Sequence, residues 1–188
     1  DASGPPGARD ARRAMVASVY SEAMDDDGTK LLPHHLDFWH RFCDLAPQYD
    51  GVFVHTPWMA TMVARVNLDA RVMPVGYDAE AMGRPRWNAP KHERLIYHGS
   101  CAGRRALLVP SFQRLLGSRF LDVSGLFGRA LLGRLDTASA SIYIAHSDVR
   151  SFSTWRLFQT AATSAAMLAE PGDTWPFEAG AHYVEMER

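Results

Sequence analysis

From residue 51 onward, short apolar runs rich in β-branched residues alternate with longer stretches whose apolar residues recur every three or four positions. These are the periods of buried strands and of amphipathic helices. "GVFVH" (51–55) predicts a strand. "TPWMATMVARVN" predicts a helix with Thr56 as its cap and Pro57 in its first turn. "RVMPVGYD" (71–78) is a second extended segment, and "AEAMGRPRWNAPKHE" (79–93), polar and holding Pro85 and Pro90, reads as a linker or long loop. The alternation then resumes. "RLIYHGS", "RFLDVSG", "ASIYIAHSD", "MLAE" and "AHYVEM" predict strands. "GRRALLVPSFQRLLG", with a kink point at Pro110, "LFGRALLGRLDTAS" and "STWRLFQTAATSAAM" predict the helices between them.

Before residue 51 the pattern is helical. In "DARRAMVASVYSEAM" (10–24), Ala14, Val16, Val19, Tyr20 and Met24 mark an apolar stripe that the acidic "DDDG" ends. "PHHLDFWHRFCDLA" predicts a second helix with Pro33 near its start and Leu36, Trp39, Phe42, Cys43 and Leu45 on its apolar side. The whole predicts an α/β fold, with a parallel sheet covered by helices on both faces. Ligands of such sheets bind at the carboxyl ends of the strands, where helices begin.

Composition adds bounds rather than identity. The 188 residues are 47% hydrophobic and 22% charged, enough for one large domain or two small ones. A formal net charge of −1 gives no bulk attraction to nucleic acid or membrane. Cys43 and Cys101 suit a reducing cytosol and offer no disulfide framework, so a cytoplasmic location is expected. No apolar run approaches the ~20 residues of a membrane span. The opening "DASGPPGARD", without Met, reads as a fragment or a processed piece.

Two helix starts carry candidate chemistry. The helix near Ser153 has Arg156 in its first turn and no carboxylate there, although the backbone N–H groups already make that end positive. Arg156, Gln159, Thr160 and Thr163 share one face; Leu157, Phe158, Ala161, Ala165 and Leu168 lie opposite, the alanines letting the helix approach the sheet. With Ser151, Ser153 and Thr154 beside it, this corner reads as an anion site. The alternative is a surface Arg156 paired with Asp148 or Glu170. The second start is "HGSCAGRR" (98–105), where Gly99 and Gly103 permit a tight turn and Arg104 and Arg105 again place cations in a first turn. The turn matches neither a Walker nor a dinucleotide fingerprint, so a plain loop with solvated arginines stands beside the phosphate reading. His34, His35 and His40 do not converge on one helical face, and the spacing of tetrahedral zinc sites is missing, so no metal is expected. His55, ending an apolar strand, stands where a catalytic group could sit or where a structural histidine caps the next helix.

In order along the chain, "ARVMPVGYD", "RLIYHGSCAGRR", "ASASIYIAHSDVRSFSTWRLFQTAATSAAMLAEP" and "FEAGAHYVEM" resemble GT-B glycosyltransferases, most closely the spore-maturation CgeB-like branch with its C-terminal "glycosyl transferases group 1" domain. The likeness spans roughly residues 50 to 188. It implies a Rossmann-like GT-B fold: residues 1–77 as the remaining part of an N-terminal acceptor-side domain, 78–93 as linker, and 94–188 as the nucleotide-sugar domain. It also implies metal-independent transfer from a nucleotide-diphosphate sugar, a co-substrate rather than a cofactor, to an acceptor that is a glycan, small molecule, protein or modified DNA base. Arg104, Arg105 and Arg156 would stabilise the leaving diphosphate, Gly99, Ser100, Ser153, Thr154 and Gln159 would complete the donor site, and His55 would face the reacting sugar. The family's Arg-x-Phe-Glu helix appears here as Arg156-Leu157-Phe158-Gln159, so the expected ribose ligand lacks its charge. Thr163–Ser164 replaces the family's Cys-Gly. Two other classes compete: a non-catalytic nucleotide-sugar-like binding module, and a flavodoxin- or receiver-like domain, which predicts an acidic pocket at the strand ends.

Overall fold

The computed structural model describes residues 14–16, 36–145, 154–172 and 174–187. The described residues up to Met73 form one compact unit and those from Pro74 onward a second.

The first unit holds a parallel three-stranded sheet in the order β1 (Ala14–Val16), β2 (Gly51–Val54), β3 (Ala70–Val72), with helices α1 (Leu36–Leu45) and α2 (Pro57–Ala64). Val52 and Val54 are buried on β2, and Met59, Met62 and Val63 are buried on α2. Thr56 caps α2 as expected: its hydroxyl accepts from the Met59 N–H at 3.2 Å, with Pro57 following. On α1, Trp39 and Phe42 are buried with ring centroids 5.4 Å apart. Residues 14–16 correct the expected helix over 10–24. They pair in register with β2, Ala14 opposite Gly51, and that ladder outweighs a helical period carried by the local sequence alone. The rest of the predicted helix, 10–13 and 17–24, lies outside the described residues.

The second unit holds five parallel strands: β4 (His92–Tyr97), β5 (Phe120–Asp122), β6 (Ala138–Tyr143), β7 (Ala166–Ala169) and β8 (Val184–Glu185). Their spatial order is β5-β4-β6-β7-β8. Relative to the unit's first strand this is 2-1-3-4-5, a doubly wound order whose reversal between β4 and β6 leaves a crevice at their carboxyl ends. The connecting helices are α3 (Ala79–Met82), α4 (Arg105–Leu116), α5 (Gly128–Thr137) and α6 (Thr154–Ala161). The pleat sorts their packing. Tyr97, Phe120 and Ile142 pack with Val109 of α4. On the other face, Ile96 packs with Leu131 and Leu135 of α5, and Tyr143 and Met167 with Leu157 of α6. The unit is Rossmann-like, with helices on both faces of the sheet.

Three local readings are revised. Residues 79–93 are not wholly loop: the Asp78 carboxylate accepts from the Glu80 N–H at 2.8 Å and starts α3, and β4 begins at His92. Helix α6 stops at Ala161 rather than running to 167. The Thr163 hydroxyl donates to the Thr160 carbonyl and accepts from the Ala165 N–H, closing a turn, and Ala166 then pairs with Ala140 on β6. Finally, the inner face of α6 is inverted at its end: Thr160 and Thr163 are buried and Ala161 is exposed. Thr163 satisfies its hydroxyl within this turn and the Thr160 hydroxyl meets His98 Nε2, so both tolerate burial.

Candidate functional site

At the carboxyl end of β4 the chain turns through His98–Arg104, and at the end of β5 through Val123–Phe127. These two turns and the first turns of α6 enclose a cleft of about 720 Å³. His98, Gly99, Ser100, Cys101, Trp155, Arg156 and Gln159 line it, with Ser124 through Phe127 and Leu131. None of the described residues that line it is acidic.

Arg156 sets the electrostatics. Its guanidinium lies against the backbone of Gly99, where a Cβ would fall 2.5 Å from Arg156 Cζ. Gly99 also has φ +136°, a region open to glycine. On its other side the guanidinium stands 5.5 Å from the centroid of the Tyr143 ring. Its Nη1 is buried and has no hydrogen-bond partner among the described residues. A buried donor left without a partner is uncommon in folded proteins.

His98 is buried beside this cation, with Nε2 3.4 Å from the Thr160 hydroxyl. Burial first, and the Arg156 charge second, push its pKa down to about 4. The ring is therefore neutral at pH 7 and serves as a polar, uncharged wall. Tyr97 is fully buried and donates to the Ser100 carbonyl at 2.7 Å, which fixes the turn. Burial raises its pKa to about 12, against the pull of Arg105 and Arg156. Tyr97 is thus a core residue, while His98 lines the cleft. Cys101 and Ser124 face each other with Sγ to Oγ at 3.1 Å, and Asp122 accepts from the Ser124 N–H at 2.9 Å. At the rim, Phe127 is 78% exposed and Trp155 52%, so two aromatic faces stand open beside a cationic floor.

The structure separates the arginines that the sequence suggested would converge. Arg156 lines the cleft with Gly99, Ser100 and Gln159. Arg105 does not: it is buried in α4 and its Nε donates to the Ile144 carbonyl at 2.7 Å. Arg104 does not either: its Nη1 lies 2.6 Å from both carboxylate oxygens of Glu170. Glu170, at the end of β7, also accepts from the Ala145 N–H at 2.8 Å. It therefore ties the β4–α4 turn to the ends of β6 and β7, and its ion partner is Arg104 rather than Arg156. Thr154 is buried at the first position of α6. Ser151, Ser153 and Asp148 lie outside the described residues. His55 belongs to the first unit, where its Nδ1 sits 3.3 Å from the Met73 carbonyl at the end of β3.

Cys101, Ser124, Phe127 and Trp155 escaped the sequence reading as site residues. Position alone offered a signal: each follows a strand or opens a helix at the carboxyl edge of the sheet. Among the described residues no three His, Cys, Asp or Glu side chains group as metal ligands, and no helix is long and apolar enough to cross a membrane. No protein-family model and no curated protein matches this chain.

Proposed function

We propose that the second unit binds a nucleotide-diphosphate sugar in the cleft between the β4 and β5 turns and α6, and that the chain is part of a metal-independent glycosyltransferase. One observation carries the reading: Arg156, held against Gly99 with an Nη1 unpartnered among the described residues, lines a cleft in which no described lining residue is acidic. A diphosphate supplies the missing counter-charge and acceptor oxygens. Trp155 and Phe127 offer faces for a base, and Ser100 and Gln159 offer hydrogen bonds to sugar or phosphate oxygens.

In the transfer, the bond from the sugar's anomeric carbon to the phosphate oxygen breaks, and its electron pair leaves with the diphosphate. Arg156 stabilises the charge that develops there. The acceptor oxygen bonds the anomeric carbon as its proton leaves to a general base. The acceptor is a glycan, small molecule, protein or modified DNA base.

A second reading, a binding module without turnover, is favoured by one observation: Arg104 and Arg105 are committed to Glu170 and Ile144, so among the described residues Arg156 is the arginine that lines the cleft. Titration with UDP, GDP, ADP and their sugar conjugates, followed by a sugar-release and transfer assay, separates the two. Binding with turnover supports the transferase. Binding without turnover selects the module. No binding by any nucleotide diphosphate refutes both.

A further inference from the structure

A second cleft, of about 390 Å³, runs along α5 on the side of the molecule where β4 and β6 begin. Arg94, Arg129, Arg134 and His92 line it over an apolar floor of Ile96 and Leu121, and none of the described lining residues is acidic. Within the described residues none of these three guanidinium groups is hydrogen-bonded or ion-paired. The nearby carboxylate of Asp136 belongs to an adjoining cleft that shares Arg129, and there it lies 3.6 Å from Arg86. The chain as a whole carries a formal charge of −1, so this concentration of unpaired arginines is local.

Like charges gathered around one hollow repel one another, and a dianion relieves that repulsion. Guanidinium forks match phosphate oxygens in bidentate geometry. The apolar floor suits a short aliphatic or sugar portion. Among the described residues no Phe, Tyr or Trp lines the cleft. We infer that this cleft along α5 binds a phosphate monoester, either a soluble ester or the headgroup of a phospholipid.

Isothermal titration of the full chain with glycerol 3-phosphate, and co-sedimentation with phosphatidylcholine vesicles containing phosphatidic acid, test the two sources. Arg94→Ala and Arg134→Ala should each weaken binding by about tenfold. Both residues are exposed, so neither change should lower the melting temperature. Arg156→Ala should leave this binding intact, which keeps the outcome separate from that of the nucleotide cleft. Binding of glycerol 3-phosphate in solution without vesicle association identifies a soluble ester. Vesicle association that requires Arg94 and Arg134 identifies a lipid headgroup. Binding to neither probe, or binding indifferent to both substitutions, overturns the inference.

Discussion

Gly99 and Arg156 occupy one space: a single methyl group on residue 99 would lie 2.5 Å from the guanidinium carbon of residue 156 and 2.8 Å from its Nε and Nη1. The β4–α4 turn and the first turn of α6 are therefore interlocked through a missing side chain. Gly99→Ala should expel the guanidinium from its seat and strain a backbone at φ +136°, at a cost of about 1–3 kcal/mol. Chemical denaturation reads the stability loss. Titration with a nucleoside diphosphate should show affinity falling about tenfold or more as Arg156 leaves the cleft. Wild-type affinity in Gly99→Ala would show that the seat of Arg156 does not matter for binding.

Arg156→Ala removes the cation that helps keep His98 neutral. A positive neighbour disfavours the imidazolium, so its removal should raise the His98 pKa above about 4. NMR titration of the His98 ring measures this directly. The same variant should lose the thermal shift given by nucleotide diphosphates.

Burial of His98 also predicts how stability responds to acid. Its folded pKa of about 4 lies below the ~6.5 of an unfolded chain, so the unfolded state binds the extra proton in between. This contribution is complete above about pH 6.5, is lost as pH falls toward about 4, and amounts to roughly 3 kcal/mol at most. Denaturation midpoints between pH 7.5 and 4.5 should fall more steeply for wild type than for His98→Gln.

Glu170 joins Arg104 to the Ala145 N–H, so its removal breaks both of these contacts at once. Glu170→Ala should cost about 2–3 kcal/mol, less than a fully buried pair because the Arg104 side chain is 25% exposed. Adding Arg104→Ala should recover part of the loss, because the charge that Glu170 balanced is gone as well. A double-mutant cycle by urea denaturation reads the coupling. Strict additivity would mean that the pair contributes nothing to the fold.

Much of this protein was legible along the chain. The alternation of short apolar runs with amphipathic stretches marked β2, α2 and every strand and helix from β4 to β8, because burial on a sheet or helix imposes periods that neighbouring residues carry themselves. The Thr56–Pro57 start of α2 was equally plain, since a cap is satisfied within three residues. The glycine at 99 and the arginine at 156 were visible as candidates, each from its own local context.

Partner choice across distance was not legible. Ala14–Val16 is a strand because β2 offers it a ladder. Glu170 takes Arg104 from 66 residues away rather than Arg156, 14 positions before it in the chain. Arg105 turns inward because the Ile144 carbonyl waits beneath it at the end of β6. From Gly51 onward the sequence alone determined most of the strands and helices and where their ends gather charge, since those properties are settled within a few residues. Only the tertiary structure decided which arginine faces the cleft, because a guanidinium goes to whichever distant acceptor or cavity the packed sheet brings within its reach.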